Sequence, residues 1–275
     1  MDLSLPAHPS FLLRLVAPGI LLSLMGAEYL LQRGAYDAGE TAASLALMIV
    51  GRALTAIAAG LVGLPMAWVY RHRLFDLPPS LWSAGLLLLV VELCAYWHHR
   101  AMHGVAWLWA THAVHHSSTR LNLSAALRFG GGGAATGGFL FYVPPVFLGF
   151  PPLAVAATLG VSLIYQYFLH LAAAPPLGTL GLVLNTPAHH HVHHASNAAC
   201  RDKNFGGALI VFDRLFGTFA EAPAAEKLRY GLAGREPEPS RSLRVAIDGW
   251  RDILRGLWQA QTWRERCAAA FGPPR

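Results

Sequence analysis

Charged residues are scarce in this sequence, and their scarcity excludes an ordinary soluble domain. Asp, Glu, Lys and Arg make up 13% of the 275 residues, whereas hydrophobic residues make up 54%. An average soluble domain is about 25% charged. The composition therefore indicates an integral membrane protein.

Cysteines and runs of basic residues are also few. Cys94, Cys200 and Cys267 lie far apart, and no two of them form a CxxC pair. This pattern argues against a disulfide scaffold and against a thiolate metal site. The net charge is +6, but no run of Lys and Arg alternates with aromatic residues, so we expect no nucleic-acid partner.

Histidine, in contrast, is abundant and clustered. Five of the 14 histidines fall within residues 189–194, which read HHHVHH. In a helix, His190, His193 and His194 occupy positions i, i+3 and i+4, so three imidazoles share one face. Imidazole is the commonest metal ligand in proteins, and a dense buried cluster would be costly without an ion to coordinate. The segment therefore predicts a metal site.

The same spacing occurs a second time upstream. Residues 111–116 read THAVHH and place His112, His115 and His116 at i, i+3 and i+4. The preceding stretch HHRAMH places His99 and His103 one helical turn apart. Two copies of HxxHH with a nearby HxxxH make a far more specific signal than either motif alone. We interpret these eight histidines as metal ligands.

Several apolar runs are long enough to cross about 30 Å of hydrocarbon at 1.5 Å per residue. Because the runs Ala134–Phe150 and Leu153–Leu171 would cross and return, we expect the third histidine box on the same side as the first two. The runs that precede the boxes are Phe11–Leu31, Thr41–Tyr70 and Leu81–Trp97.

The basic residues do not fit a simple topology of these runs. The positive-inside rule places Arg71 and Arg73 in the cytoplasm. If Leu81–Trp97 then spans the membrane, the histidines after it emerge on the opposite side. We therefore expect one of the first three runs to be re-entrant or to lie along the interface, and the sequence leaves open which one.

The motifs around the histidines resemble those of the sterol desaturase and fatty acid hydroxylase superfamily, in particular its alkylglycerol monooxygenase-like branch. The resemblance rests on ELCAYWHHRAMH, on THAVHHSSTRLNLSAAL, and on HHHVHH followed by DKNFGG and FDRLFGTF. It implies that His170 joins the site. The chain departs from the branch pattern, in which acidic residues are common, at Gly104, Thr119, Leu171 and Ala172.

The resemblance implies an all-α integral membrane helical bundle with a cytoplasmic cap that holds a histidine-rich di-metal site. It implies two iron ions, O2 and a lipid substrate whose C–H bond is hydroxylated, with no catalytic residue beyond the metal centre. Nine imidazoles exceed a closed zinc site and suit two ions with open positions. The predicted metal ligands are His99, His103, His112, His115, His116, His170, His190, His193 and His194.

The chain carries no haem-binding or dinucleotide-binding segment, so electrons must come from a donor protein or a reduced pterin. We predict a membrane hydroxylase domain over residues 1–220 and an amphipathic cytoplasmic extension over residues 221–275. The multi-pass domain would have its histidine boxes facing the cytoplasm. Tryptophan and leucine interleaved with Arg and Asp in residues 245–271 are typical of a helix at the membrane surface.

Two divalent ions bound only by neutral imidazoles leave about four positive charges to offset. Glu92, Asp202 and Asp213 are carboxylates that suit this role by accepting an imidazole N–H. Further residues predicted to support the ligands are Gln166, His189 and Asn197. Residues predicted to line a lipid tunnel are Tyr96, Trp97, Tyr165 and Phe168, although core packing also explains them.

Three other functions remain open from the sequence. A lipid desaturase begins with the same hydrogen abstraction, and only its product distinguishes it. A metal transporter would need ligands along a path at membrane depth, whereas these boxes fall at the ends of apolar segments. A non-catalytic metal-binding protein is compatible with the departures from the branch pattern.

Overall fold

The computed structural model describes residues 9–128, 133, 136–175, 177–234 and 242–274. Within these residues the chain forms helices and no strand, and the extended pairing is limited to two isolated bridges, Leu184–Leu209 and Ala195–Tyr230. The all-α prediction is confirmed for the described part of the chain. The helices are α1 (Pro9–Leu31), α2 (Ala38–Arg71), α3 (Leu81–Gly104), α4 (Ala106–His116), α5 (Val143–Leu148), α6 (Pro152–Phe168), α7 (Pro187–His194), α8 (Val211–Phe216), α9 (Ser242–Gln259) and α10 (Trp263–Phe271).

Helices α2 and α3, joined by the turn at residues 72–80, form a hairpin whose two helices both pack on α5 and α6, and both are long and apolar enough to cross a membrane. Met66 near the end of α2 packs in one cluster with Leu87 and Val91 near the start of α3. Exposed apolar side chains on α2 run from Ile49 to Trp68, about 28 Å at 1.5 Å per residue. That length matches the hydrocarbon core of a bilayer, about 30 Å. The composition and these two helices indicate a membrane protein.

This hairpin changes the predicted topology. Arg71 and Arg73 follow the end of α2, whereas His99 and His103 lie in the last turns of α3, at the opposite end of the hairpin. In a membrane-spanning hairpin the arginines and the histidines therefore face opposite sides. Both α2 and α3 are continuous helices long enough to cross a membrane, so neither has the broken form of a re-entrant segment. Which of the first three runs lies along the interface stays a prediction.

The chain after α4 makes a second, shorter excursion. A 3-10 turn at Gly138–Tyr142 continues into α5, and the backbone N–H of Leu74 donates to Phe147 O at 2.8 Å, at the far end of the hairpin. Gly149 has φ +127°, and a Cβ there would lie 2.2 Å from Phe75 O. Helix α6 then returns toward the histidines. It has 17 residues, about 26 Å, so it is shorter than α2 and α3.

The last two helices cover α4. Ala110 of α4, Ile253 of α9 and Ala270 of α10 belong to one buried cluster. The fit is close, because a Cβ at Gly249 would lie 2.8 Å from the Cα of Ala110. The expected division at residue 220 stays a prediction. The described helices of the expected extension pack directly on the histidine-bearing helix.

Candidate metal centre

Three helices present the histidine boxes. The end of α3 carries His99 and His103, α4 carries the first HxxHH, and α7 carries the second. Helix α7 starts where Thr186 caps it, since its hydroxyl accepts the backbone N–H of His189, and Pro187 fills the first helical position. This start fixes the register in which the second box turns inward.

The nine predicted ligands come together in two groups. We call one the five-histidine cluster and the other the four-histidine cluster. Within each cluster, one ring nitrogen per residue lies within 4.8 Å of those of all the others. The clusters adjoin, because the His116 and His194 rings stack with centroids 4.4 Å apart. The five-histidine cluster is His99, His103, His112, His116 and His193, and the four-histidine cluster is His115, His170, His190 and His194.

The two HxxHH motifs contribute to both clusters in a reciprocal way. The first motif gives its i and i+4 residues, His112 and His116, to the five-histidine cluster and its i+3 residue, His115, to the other. The second motif does the reverse, since His193 alone joins the five-histidine cluster. Helices α4 and α7 therefore face each other across both clusters.

Hydrogen bonds on the outer side of the rings fix which nitrogen faces inward. The Nδ1 atoms of His99 and His193 lie 2.8 Å from Phe205 O and Lys203 O, and Nδ1 of His170 lies 3.0 Å from Gln166 O. A carbonyl oxygen only accepts, so each Nδ1 carries the proton and each Nε2 keeps a free lone pair. These lone pairs point into the clusters.

The inward-facing ring nitrogens cannot all be satisfied by hydrogen bonds to one another, whereas metal ions would satisfy them. His112 Nε2 lies 3.0 Å from His99 Nε2 and 3.1 Å from His116 Nε2, yet one ring N–H can donate to only one of them. His103 Nε2 and His193 Nε2 are buried without a hydrogen-bond partner. Buried lone pairs that converge in this way are the donor set that a divalent ion requires.

Burial keeps these imidazoles neutral. Loss of hydration, followed by repulsion from neighbouring histidines, holds the pKa of His112, His116 and His194 well below the ordinary value. Burial lowers the pKa of His170 to about 4. Neutral imidazole is the form that binds metal, so both clusters are prepared for ions near neutral pH.

A cavity of about 610 Å³ opens beside the five-histidine cluster. His103, His116 and His193 reach it from that cluster, whereas the four-histidine cluster reaches it through His194 alone. Its apolar walls include Ala110 and Ile253, and its polar side chains include Arg100, Arg201 and Asp202.

Asp202 contacts an imidazole, as predicted for a carboxylate that supports a ligand. Its Oδ1 lies 3.4 Å from Nδ1 of His103, and this contact holds the pKa of the Asp202 carboxyl below its usual value. Asp202 has φ 56°, a left-handed backbone that Asp tolerates better than most residues.

Glu92 and Asp213 are both fully buried, but they accept backbone N–H groups instead of the imidazole N–H that was expected. Glu92 accepts from Ala208 and Leu209 and from the Ser162 hydroxyl. Asp213 accepts from Phe205 and Gly206, both at 2.7 Å. The two acids therefore anchor the loop over residues 204–209 from both ends. The Phe205 carbonyl of that loop orients His99.

The three other residues predicted to support the ligands differ in how they relate to the two histidine clusters. They are Gln166, Asn197 and His189. Gln166 orients His170 through its backbone carbonyl, while its side chain donates to Ser162 Oγ. Asn197 is buried and ties the segment after α7 to Lys227 O and the Arg229 N–H. His189 belongs to neither cluster, and its ring packs against Phe219.

None of the four predicted tunnel residues lines this cavity. Tyr96 is fully buried, bonds Thr218 Oγ1 and stacks on Phe216, because that face of α3 turns toward α8. Tyr165 donates to Asn185 O. Trp97 and Phe168 are exposed on the outside of their helices.

Sequence reasoning missed two buried carboxylates from the N-terminal helices. Glu28 of α1 accepts from the backbone N–H groups of Leu123 and Ala172, each at 2.8 Å. Glu40 of α2 accepts from the Ser118 hydroxyl at 2.6 Å and forms a buried ion pair with Arg128 at 3.0 Å. Both acids therefore hold segments that follow ligand histidines. An acidic residue at the edge of an apolar helix was the available signal.

Comparison with known proteins agrees with these features. The family model for fatty acid hydroxylase matches residues 84–218, which include all nine clustered histidines. The chain is 43% identical to human (Homo sapiens) alkylglycerol monooxygenase over 194 residues, which are 66% of this chain and 43% of that protein. It is 43% identical to the alkylglycerol monooxygenase of Danio rerio over 173 residues, which are 60% of this chain and 37% of that protein.

A bacterial relative is more distant. The chain is 30% identical to an ornithine lipid hydroxylase of Rhizobium tropici over 180 residues, 65% of this chain and 54% of the relative. The match thus spans about half or less of the length of each of these relatives. No solved structure matches the chain. Residues 84–218 therefore belong to the fatty acid hydroxylase family, and the identities support the alkylglycerol monooxygenase-like branch of the sterol desaturase and fatty acid hydroxylase superfamily.

Proposed function

We propose that the chain is a membrane-bound, O2-dependent monooxygenase that hydroxylates a C–H bond of a lipid at two irons held by its nine clustered histidines. The observation that carries the proposal is the pair of adjoining clusters of neutral imidazoles, one of which lines a cavity. Relatives that are named alkylglycerol monooxygenase and ornithine lipid hydroxylase support the lipid class.

The nine imidazoles divide into ligand sets for two ions, five in one cluster and four in the other. Iron bound in this way supplies O2 activation and C–H oxidation when an external donor provides two electrons. The residues around the ligands hold each ring in place. Phe205 O and Lys203 O orient His99 and His193, and Asp202 orients His103 while adding negative charge.

The cavity suits a lipid with a polar end. Its apolar walls around Ala110, Leu232 and Ile253 would hold hydrocarbon and exclude water. Arg100 and Arg201 would hold the polar part near the five-histidine cluster. The reacting C–H would then lie on the side of the centre that His103, His116 and His193 present.

The electron donor and the orientation complete the proposal. A donor protein or a reduced pterin must act from the aqueous side, and we place the histidine boxes and the expected cap in the cytoplasm. Arg71 and Arg73 argue for the other orientation. More basic residues lie at the histidine end of the helices than at the end that carries Arg71 and Arg73; they include Arg33, Arg100 and Arg120. The positive-inside rule depends on the total number of basic residues on each side of the membrane, so it favours the histidine end in the cytoplasm.

A lipid desaturase is the second candidate, because both reactions begin with hydrogen abstraction at the same centre. A metal transporter fits less well, since its ligands would need to follow a path through the membrane. A protein that only binds metal would not need the cavity beside the five-histidine cluster, so a non-catalytic role also fits less well.

The test is metal analysis of the detergent-purified protein, followed by a lipid product screen. We expect about two irons per chain, and a coupled pair in the Mössbauer spectrum of iron-57-grown protein. Oxygen-18 gas should then label a hydroxylated lipid, whereas an unsaturated product without label would identify a desaturase. A single zinc that resists exchange with iron would refute the proposal.

A further inference from the structure

Helices α9 and α10 expose an apolar outer surface. Ile247, Leu254 and Trp258 occupy positions i, i+7 and i+11 on one face of α9, and Trp258 is 87% exposed. Trp263 and Phe271 of α10 are exposed as well. The arginines exposed around it are Arg244, Arg251, Arg255, Arg264 and Arg266.

The inner face of the same hairpin covers the cavity. Gly249, Ile253 and Gly256 of α9 line it, as do Ala268 and Ala269 of α10. The two helices approach closely, because a Cβ at Gly256 would lie 3.0 Å from the Cβ of Ala269. The hairpin therefore forms a wall between the five-histidine cluster and its own exposed apolar surface.

The start of α9 lies level with one end of the exposed apolar stretch of α2, residues 49–68, which we call the apolar belt. Val245 of α9 shares a buried cluster with Leu47 of α2. The exposed apolar residues of α2 begin two residues later at Ile49, about 3 Å along the helix. Arg52 is exposed near this end of the belt and is long enough to extend its guanidinium toward headgroups.

We infer that the α9–α10 hairpin lies on the membrane surface with its outer face in the headgroup layer, and that lipid enters the cavity from that layer beneath the hairpin. The second half of this inference rests on the proposed lipid hydroxylation. Tryptophan favours this layer, and arginine beside an apolar stripe favours anionic lipid. Residues 244–266 of the hairpin carry five arginines against three acids, so their charge complements such a surface.

The position of the hairpin can be measured without any activity. The full chain would carry Cys267→Ser, a substitution that leaves only the buried Cys94 and Cys200, and a fluorophore on Leu254→Cys. In vesicles of phosphatidylcholine and phosphatidylglycerol, we expect quenching by lipids that are spin-labelled near the headgroup and protection from iodide.

A label on Gln259→Cys is the matched control, because Gln259 is exposed on the polar side of α9 and should respond to iodide instead. Equal iodide quenching at both positions would overturn the inference. Protection of Leu254→Cys from both quenchers would also overturn it, since that result indicates a protein partner on this face.

The entry route needs a second experiment. Leu254→Glu with Trp258→Glu should lower lipid turnover in the same vesicles roughly tenfold or more by weakening interfacial binding. Iron content should not change, and Gln259→Glu should match the wild type. An unchanged turnover rate in the double variant would refute lipid entry from this layer. If the wild type hydroxylates no lipid, the proposed function fails, but the quenching result still decides where the hairpin lies.

Discussion

The two histidine clusters differ in what holds them and in what they face. The five-histidine cluster is oriented by residues of a single loop, through Asp202, Lys203 O and Phe205 O, and three of its rings line the cavity. The four-histidine cluster is oriented on its outer side by helix α6, through Gln166 O and His170. Each of its rings is at most 4% exposed.

The difference suggests a division of labour within one centre. The four-histidine cluster meets the cavity only at His194, so it is the more closed of the two and should retain its ion well. The five-histidine cluster presents three rings to the cavity and is the open one, so an ion there can exchange ligands at free coordination positions. The loop over residues 202–206 orients rings of the open, five-histidine cluster through carbonyl groups and one carboxylate. Changes in that loop should therefore act on the open cluster and spare the closed one.

Removing a ligand from the closed cluster should have the largest effect. For His115→Ala we expect iron to fall from about two to about one ion per chain or lower, with loss of turnover, because three imidazoles remain. Elemental analysis of the purified variant measures this. His72→Ala, at the exposed end of α2, is the control and should keep its iron. Normal iron content in His115→Ala would refute the ligand assignment.

A substitution at Glu40 should destabilise the fold that carries both clusters. Glu40→Ala leaves the buried Arg128 guanidinium without its carboxylate, which costs about 3–5 kcal/mol of unfolding free energy. The midpoint of thermal unfolding in detergent should fall. Asp76→Ala removes the partner of Arg73 in an exposed pair and should cost at most about 1 kcal/mol. Equal destabilisation by the two substitutions would contradict the role assigned to Glu40.

Asp202→Asn should separate the two clusters. It replaces the carboxylate that faces Nδ1 of His103, and loss of such a partner lowers metal retention about 10-fold to 100-fold. Dialysis against a chelator should remove one of the two irons faster than in the wild type, and the other at the wild-type rate. Asp76→Asn provides the matched control. Faster loss of both ions would show that the clusters do not act independently.

The smallest effect should come from His189, whose ring joins neither cluster. His189→Ala should change iron content and turnover less than about twofold, because the ring packs on Phe219 outside both clusters. His190→Ala, one residue further on, is the comparison and should lose iron. Similar losses in the two variants would place His189 at the centre.

Much of this site could be predicted because helical periodicity acts locally. The HxxHH and HxxxH spacings determine which imidazoles share a helical face, and the structure brings all of those histidines together. Residues that act through the backbone could not be found in this way. Glu92 and Asp213 are visible as acids in apolar surroundings, but only the folded chain shows that both bind N–H groups of the loop over residues 204–209.

The sequence by itself determined the membrane class, the helical content and eight of the nine histidines, because composition and period depend only on neighbouring residues. His170 was expected only from the family resemblance. The tertiary structure decided how those histidines divide. His115 separates from His112 and His116, and His193 from His190 and His194, because α4 and α7 face each other and each motif meets its counterpart across two clusters. Packing of α9 over α4 decided which cluster meets the cavity. Contacts between residues far apart in the chain set both outcomes, and local spacing carries no information about them.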